Sequence, residues 1–221
     1  MMRPLVTLAY AQTLDGYIAA RDGSSRWISG AASLQRTHAL RARHDAILVG
    51  VGTVVADNPR LTVRLVDGVN PIRVVVDSNL RIPDAAHVLN EELATGTWIV
   101  CKSDADAQRR QHLLQCGAVV LSTATDAQSG GVDLAVALQL LAERGIRTVM
   151  IEGGSRLITS MLRARLIDRV AITIAPKILG EGIHAFGTIG VTTMSNALTF
   201  SAVETQRVGD DIWMEGEVCY R

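Results

Sequence analysis

Residues 46–64 read AILVGVGTVVADNPRLTVR, and the fold turns on how this stretch divides. Ala46-Ile47-Leu48-Val49 is a short apolar run, β-branched enough to be a buried strand. Gly50 and Gly52 then bring backbone close to a neighbour, and Thr53 stands at a helix start, where its hydroxyl can cap or bind. Asp57-Asn58-Pro59 stops that helix after one short turn and forces a loop. Leu61-Thr62-Val63-Arg64 leads out of the loop with a single positive charge at its end. A buried strand that delivers glycines, a hydroxyl, a carboxylate and an arginine to one rim is either a ligand site or simply a strand, a tight turn and an exposed arginine.

Similar runs recur on both sides of this stretch. Leu5 to Ala11 reads as the first strand, followed by a turn at Asp15-Gly16. Ser33 to His44 reads as a helix with Ser33 as N-cap, and Leu34, His38 and Arg41 fall at i, i+4 and i+7 on one face. Taken alone, Arg41 is a solvated helix charge; it gains interest because the next strand ends near the same rim. Residues 71–77, PIRVVVD, form another near-continuous apolar strand whose carboxyl end carries Asp77-Ser78-Asn79, the edge where ligands lie in an open α/β sheet. Thr97 to Cys101 and Ala118 to Leu121 are strands, with a helix from Asp104 to Gln115 between them. Asp133 caps a helix that runs to about Arg144 with Leu134, Ala137, Leu138 and Leu141 on one face. Asp168 to Ala175 is a strand. Leu198 to Val208 and Ile212 to Tyr220 alternate as a hairpin around Gly209-Asp210-Asp211. The pattern predicts one α/β domain over residues 1–221, a central mainly parallel sheet flanked by helices with a C-terminal antiparallel hairpin.

A second segment carries chemistry. Residues 147–155, RTVMIEGGS, run strand, carboxylate, two glycines and helix start, with helix continuing from Ser155 to Ala164. Glycines at a helix N-terminus let backbone N–H groups cradle a phosphate, and the helix dipole favours the anion. The run matches neither the full G-x-G-x-x-G of a Rossmann site nor G-x-x-x-x-G-K-[ST], so a plain strand-to-helix turn also accounts for it. Trp27, in the polar loop after Arg21, either plugs the edge of the core or stacks on a flat ligand.

Composition narrows the partners. With 22 basic and 22 acidic side chains the formal net charge is zero, which argues against a general nucleic-acid binder and for a small-molecule ligand met by locally placed charge. Aromatics make up only 4%, so the core is built from Val, Leu, Ile and Ala. Cys101, Cys116 and Cys219 lie far apart and form no C-x-x-C pair, and the five histidines show no metal spacing. No window approaches the roughly 20 apolar residues of a membrane span, and the N-terminus lacks a signal-peptide core. The expectation is a cytoplasmic protein with no metal, membrane or nucleic-acid partner.

The segments LAYAQTLDGYIA, SSRWISG, LRARHDAILVGVGTVVADNPRLTVR, VVVDS, MIEGGSRL and APKILGEG stand in an order and spacing that resembles the reductase of riboflavin biosynthesis, which has the dihydrofolate-reductase-like fold. The resemblance covers nearly the whole chain and is most specific in the T-V-x-A-D-[DN]-P-x-L-T-V-R segment. It implies reduction of the ribosylamino group of a pyrimidine 5′-phosphate to ribitylamino, with NADPH delivering hydride to C1′. It places Ala11, Trp27, Thr53 and Asp57 at the nicotinamide side of NADPH, Ser78 at another cofactor position, and Gly154 through Ser160 (Gly154, Ser155, Arg156 and Leu157 foremost) at the cofactor phosphate loop. It places Ser25, Arg41, Leu61 and Arg64 on the substrate, the two arginines toward the ribose 5′-phosphate, and Glu152 at the pyrimidine amino group. Arginine's planar fork suits a phosphate, and glycine with backbone donors suits a pyrophosphate. The catalytic candidate is Asp57, which holds or supplies the proton for the imine or else anchors the nicotinamide carboxamide.

Two departures qualify the resemblance. Ala9 stands where the family often carries a lysine, and no H-x-E with P-C-x-x-C marks a deaminase. A stand-alone reductase and a separate deaminase in the same pathway are therefore expected, with the substrate base either diaminopyrimidinone or deaminated uracil; the C-terminal hairpin edge, and the resemblance to a family that is often dimeric, add the expectation of a homodimer. The rival readings are a dihydrofolate-reductase-like enzyme for another heterocycle and a non-catalytic NADPH-binding module.

Overall fold

Short runs of Val, Ile and Leu leave no polar face along most strands of this chain, so those strands must be covered on both sides. In the computed structural model, which describes residues 2–220, that is how they are used. The strands are β1 (Leu5–Thr13), β2 (Tyr17–Ala19), β3 (Ala46–Gly50), β4 (Ile72–Val76), β5 (Thr97–Lys102), β6 (Val119–Thr123), β7 (Thr148–Ile151), β8 (Arg169–Ala175), β9 (Ile183–His184), β10 (Thr199–Val208) and β11 (Asp211–Cys219). The helices are α1 (Ala31–Ala42), α2 (Val51–Asp57), α3 (Ala107–Gln115), α4 (Leu134–Glu143) and α5 (Ser155–Arg163). One nine-stranded sheet has the order β10-β11-β8-β1-β7-β3-β4-β5-β6, and β2 pairs with β9 apart from it. From β8 to β6 every pairing is parallel, while β11 runs antiparallel to both β8 and β10. The fold class read from the sequence is the one observed.

Strand alternation divides the core. Leu48, Val74, Val100, Val149 and Ile151 face one side and pack with Leu138 and Leu141 of α4 and Ile158 and Met161 of α5. Ile47, Val49, Val75, Ile99 and Cys101 face the other and pack with Val51 and Val54 of α2 and Leu113 of α3. Ala9, on β1, packs with Met150, Ala171 and Trp213 in an apolar cluster.

Several local features differ from the sequence expectation. Ser33 is not the N-cap of α1: the helix begins at Ala31 with Gly30 as cap and no side-chain cap bond. The buried carboxylate of Asp211 takes that role from the hairpin, accepting from the Gly30 N–H at 2.8 Å and the Ser33 hydroxyl at 2.6 Å. A carboxylate at a helix N-terminus also complements the dipole, so a distant residue outcompetes the local hydroxyl. Leu34 does not share the inward face, since it is 46% exposed while Ser33, His38 and Arg41 are buried. The third helix starts at Ala107, where Asp106 caps by accepting the Arg109 N–H. Asp133 caps α4 as read, accepting the Val136 N–H at 3.0 Å.

Candidate active site

Parallel strands bring their carboxyl ends to one edge, and register places the candidate residues along it. Leu48 of β3 sits beside Ile151 of β7, and the Glu152 N–H donates to the Leu48 carbonyl at 3.1 Å. Gly50 sits beside Val76, so Asp77 and Ser78 lie just past the end of β4. β7 meets β1 at Leu8, and β1 runs on to Thr13, which carries Ala11 beyond the end of β7. Chain order also reverses here, because β3 through β6 step outward and β7 returns between β1 and β3. A crevice outside the carboxyl ends at such a reversal is where open α/β sheets bind ligands.

Gly153 and Gly154 turn the chain from β7 into α5 with φ of 83° and 89°, conformations that L side chains rarely adopt. A Cβ on Gly154 would lie 3.1 Å from the Thr53 Oγ1 and 3.8 Å from the Gly50 amide nitrogen. The two glycine-bearing turns of the sequence are thus packed against each other, and Thr53 and Gly154 belong to one wall. No side chain caps α5. Its first N–H groups, an exposed Arg156 and the half-buried Ser155 fit an anion such as a pyrophosphate. Leu157 differs: its side chain is 6% exposed and joins the core, which leaves its backbone as the part that can meet a ligand. Ser78 is half-buried, and its hydroxyl accepts the Val132 N–H at 3.2 Å, tying the connection before α4 to this edge.

At the same edge, α1 supplies Arg41. Its Nε and Nη2 donate to the two carboxylate oxygens of Glu152, each at 2.6 Å, and its Nη1 donates to the Thr62 carbonyl at 2.9 Å. Arg41 and Glu152 are thus brought together, but the planar fork of Arg41 is already engaged by Glu152. Arg64 is the more open cation. It is exposed, donates through Nη1 to the Thr62 hydroxyl at 2.7 Å, and has its pKa lowered by desolvation and by the neighbouring Arg41 and Arg60 guanidiniums.

The loop between Asp57 and Arg64 is held rigidly. Asn58 ends α2 with φ 42°, and its side-chain and backbone oxygens each lie 2.7 Å from His87, the former accepting the His87 N–H. Leu61 has φ 54°, unusual for a branched side chain, and is 2% exposed in the core. Its side chain anchors the loop from within, so any substrate contact at Leu61 is through backbone. The Val63 N–H is taken by the Asn70 side chain at 2.7 Å.

Asp57 stands exposed at the end of α2 with no hydrogen bond or ion pair among the described residues. Partial desolvation at the rim raises its pKa above 3.8, against the opposing pull of Arg26. An unpaired carboxyl tuned upward suits a group that holds a proton. Trp27 does not plug the core: it is 83% exposed with φ 72°, and its carbonyl, like that of Ile28, accepts from the Lys177 ammonium. Sequence reasoning gave Lys177 no role, and the A-P-K run that carries it is the signal that points there. Ser25, in the same loop, is half-buried, as is Ala11.

The order of this α/β sheet gives the chain a dihydrofolate-reductase-like fold. Dihydrofolate reductase from Enterococcus faecalis, described as complexed with NADP(H), superposes with a TM-score of 0.54 at 13% identity over 97% of this chain and 96% of its own, a likeness of fold. Residues 4–214 match the family described as the RibD C-terminal domain, and the chain belongs to that family. It is 42% identical over 220 residues to the 2,5-diamino-6-ribosylamino-4(3H)-pyrimidinone 5′-phosphate reductase of Methanothermobacter thermautotrophicus, covering 97% of this chain and 98% of that one. It is 38% identical over 211 residues to the riboflavin biosynthesis protein RibD of Aquifex aeolicus, covering 95% of this chain but 56% of the relative. The solved RibD of Acinetobacter baumannii superposes with a TM-score of 0.83 at 29% identity over 98% of this chain and 58% of that chain. The chain therefore spans a little over half the length of the RibD relatives and nearly all of the archaeal reductase. Among the described residues no helix is long and apolar enough to cross a membrane, and no cluster of His, Cys, Asp and Glu could hold a metal.

Proposed function

We propose that this chain is an NADPH-dependent reductase that converts the ribosylamino group of a riboflavin-precursor pyrimidine 5′-phosphate to ribitylamino. The observation that carries this reading is that the Thr53–Gly154 contact and the Arg41–Glu152 pair both follow the carboxyl ends of the adjacent strands β3 and β7. Residues 1–221 are read as one reductase domain. The near full-length match to an archaeal reductase of the diaminopyrimidinone favours reduction before deamination, with a separate deaminase in the pathway.

The chemistry asks for two placements. Gly154, Ser155, Arg156 and the Leu157 backbone would hold the cofactor phosphates; Thr53, Ser78, Ala11 and Trp27 would line the remainder. When bound, NADPH supplies the hydride. On the substrate side Arg64 grips the 5′-phosphate, aided by the Ser25 hydroxyl and the Leu61 backbone. Glu152, its carboxylate locked in orientation by Arg41, accepts from the pyrimidine amino group. Opening of the ribose ring passes the N–H proton to the sugar oxygen and leaves an imine at C1′; hydride addition at C1′ then needs one proton at the nitrogen, which Asp57 would hold and deliver. The fixed loop Asn58–Arg64 sets the spacing between the two ligands, which is what alignment of donor and acceptor requires.

The test is loss of nicotinamide absorbance when purified protein is mixed with NADPH and each candidate pyrimidine, with and without its 5′-phosphate. Oxidation with the phosphorylated diaminopyrimidinone is expected. Binding of NADPH without oxidation by any pathway intermediate would leave the non-catalytic module in its place, and turnover of an unphosphorylated heterocycle would favour the other reductase reading. We further infer a homodimer, because β10 is an exposed edge along nearly its whole length and open edges invite pairing. A monomeric mass by light scattering would rule the dimer out.

A further inference from the structure

We propose that His38 is a positioning residue for substrate phosphate recognition, a neutral acceptor that fixes the Arg64 segment between two guanidiniums without cancelling their charge. This deepens the reading above and rests on Arg64 being a phosphate ligand.

His38 lies on α1 one turn before Arg41, and only 1% of it is exposed. Its Nδ1 accepts the backbone N–H of Arg64 at 2.9 Å, and its Nε2 lies 3.4 Å from the Arg41 Nη1. A backbone amide can only donate, so Nδ1 must carry the lone pair and the neutral ring keeps its proton on Nε2. Nε2–H then faces a guanidinium that also only donates, which makes the 3.4 Å approach a packing contact. The ring is held neutral by its surroundings: burial, then Arg41, then Arg64 push its pKa down to about 4. The other polar groups beside this cluster are the Glu152 carboxylate and the Thr62 carbonyl, both bonded to Arg41, the Thr62 hydroxyl, bonded to Arg64, and the Arg60 guanidinium, whose charge faces Arg64.

The choice of residue follows from what else could sit there. An aliphatic or phenyl side chain would leave the Arg64 N–H orphaned in a half-buried place, and the loop that carries Arg64 would lose a tie to α1. A carboxylate would satisfy that N–H but would also pair with Arg64, the cation whose fork is not already spent on Glu152. Only a neutral acceptor both holds the backbone and leaves the positive charge for an anion.

The experiment compares His38→Phe, His38→Asp and His38→Asn, whose amide oxygen can replace Nδ1, in the full-length chain. Readouts are KM and kcat for the phosphorylated pyrimidine, inhibition by inorganic phosphate, NADPH affinity by fluorescence, and the unfolding midpoint. His38→Phe should raise KM and the phosphate inhibition constant about tenfold, the loss of one net hydrogen bond, with kcat and NADPH affinity held. His38→Asp should raise both further, and His38→Asn should restore them. Should His38→Phe fail to fold, the near-isosteric Asn and Asp variants decide by their difference in phosphate inhibition. Equal phosphate inhibition in the Asn and Asp variants, or parallel loss of kcat and NADPH affinity in His38→Phe, would overturn the proposal. Arg64→Ala separates the two levels: unchanged phosphate inhibition there removes the premise, while a loss there with silent His38 variants removes only the role of His38.

Discussion

Arg41 and Glu152 lie 111 positions apart in sequence and meet as a bidentate pair with both oxygen–nitrogen distances at 2.6 Å. The pair ties α1 to the end of β7, and both side chains are largely buried, at 11% and 14% exposure. A pair so placed has a consequence for stability.

Removing Arg41 should leave a carboxylate without its partner in a poorly solvated place. Arg41→Ala is expected to destabilise the fold by about 3 kcal/mol, the scale for breaking a buried pair from one side. Replacing both partners by Met and Gln should cost less than the Arg41→Ala change alone. Urea unfolding of the two variants checks this, and equal midpoints would show that the pair is not energetically coupled.

Gly154 has φ 89°, and a Cβ there would press on Thr53. Gly154→Ala should lower stability by about 1–3 kcal/mol from backbone strain and weaken NADPH binding by displacing the turn before α5. Gly52 lies within α2, and a Cβ added to it would meet nothing within 4 Å, so it should accept alanine without loss of stability. Thermal unfolding and fluorescence titration with NADPH report the two effects separately.

The Asp57 carboxyl is raised above 3.8 by desolvation, so its charged form is disfavoured in the fold. The native state then holds a proton more readily than the unfolded chain, and stability falls as pH rises through the window above 3.8. Asp57→Asn should therefore raise the unfolding midpoint at neutral pH while lowering kcat about 100-fold or more, the usual reach of a general acid. A full-speed Asp57→Asn enzyme would assign Asp57 to anchoring instead of proton delivery.

For His38 the sign is opposite. Its native pKa of about 4 lies below the ordinary 6.5, so the unfolded chain binds more protons between these values. The contribution of the neutral ring is complete above 6.5 and is lost as pH falls toward 4, when a proton must be forced between Arg41 and Arg64. Urea midpoints measured from about pH 7 down to about pH 4.5 should fall, and His38→Asn should flatten part of that slope. Parallel slopes in the two proteins would show that other groups govern acid unfolding.

Much of this architecture was legible in local sequence because it depends on short-range physics. Ala46-Ile47-Leu48-Val49 has no polar side chain to put in water, so a doubly covered strand is the available solution, and Asn58-Pro59 cannot continue α2. Asp133 caps α4 three residues ahead of the amide it accepts, a contact confined to one turn. Trp27 and Ser33 were not legible in this way. Whether Trp27 plugs or projects depends on where Lys177, 150 positions later, holds its carbonyl, and Ser33 lost the cap to Asp211, 178 positions away.

The sequence by itself determined the class of fold and the residue types that follow the strands' carboxyl ends, because periodicity, glycine turns and caps act over a few residues. Only the tertiary structure decided how those residues divide the work. The stretch from Ala46 to Arg64 sends Thr53 to a wall shared with Gly154, spends Leu61 as an anchor in the core and leaves Arg64 open beside His38. Arg41 could be placed on a helix face from sequence, but its engagement with Glu152 arises from packing α1 over the end of β7. Such long-range pairings leave no trace in local composition, since their free energy comes from excluding water between elements that the chain order keeps far apart.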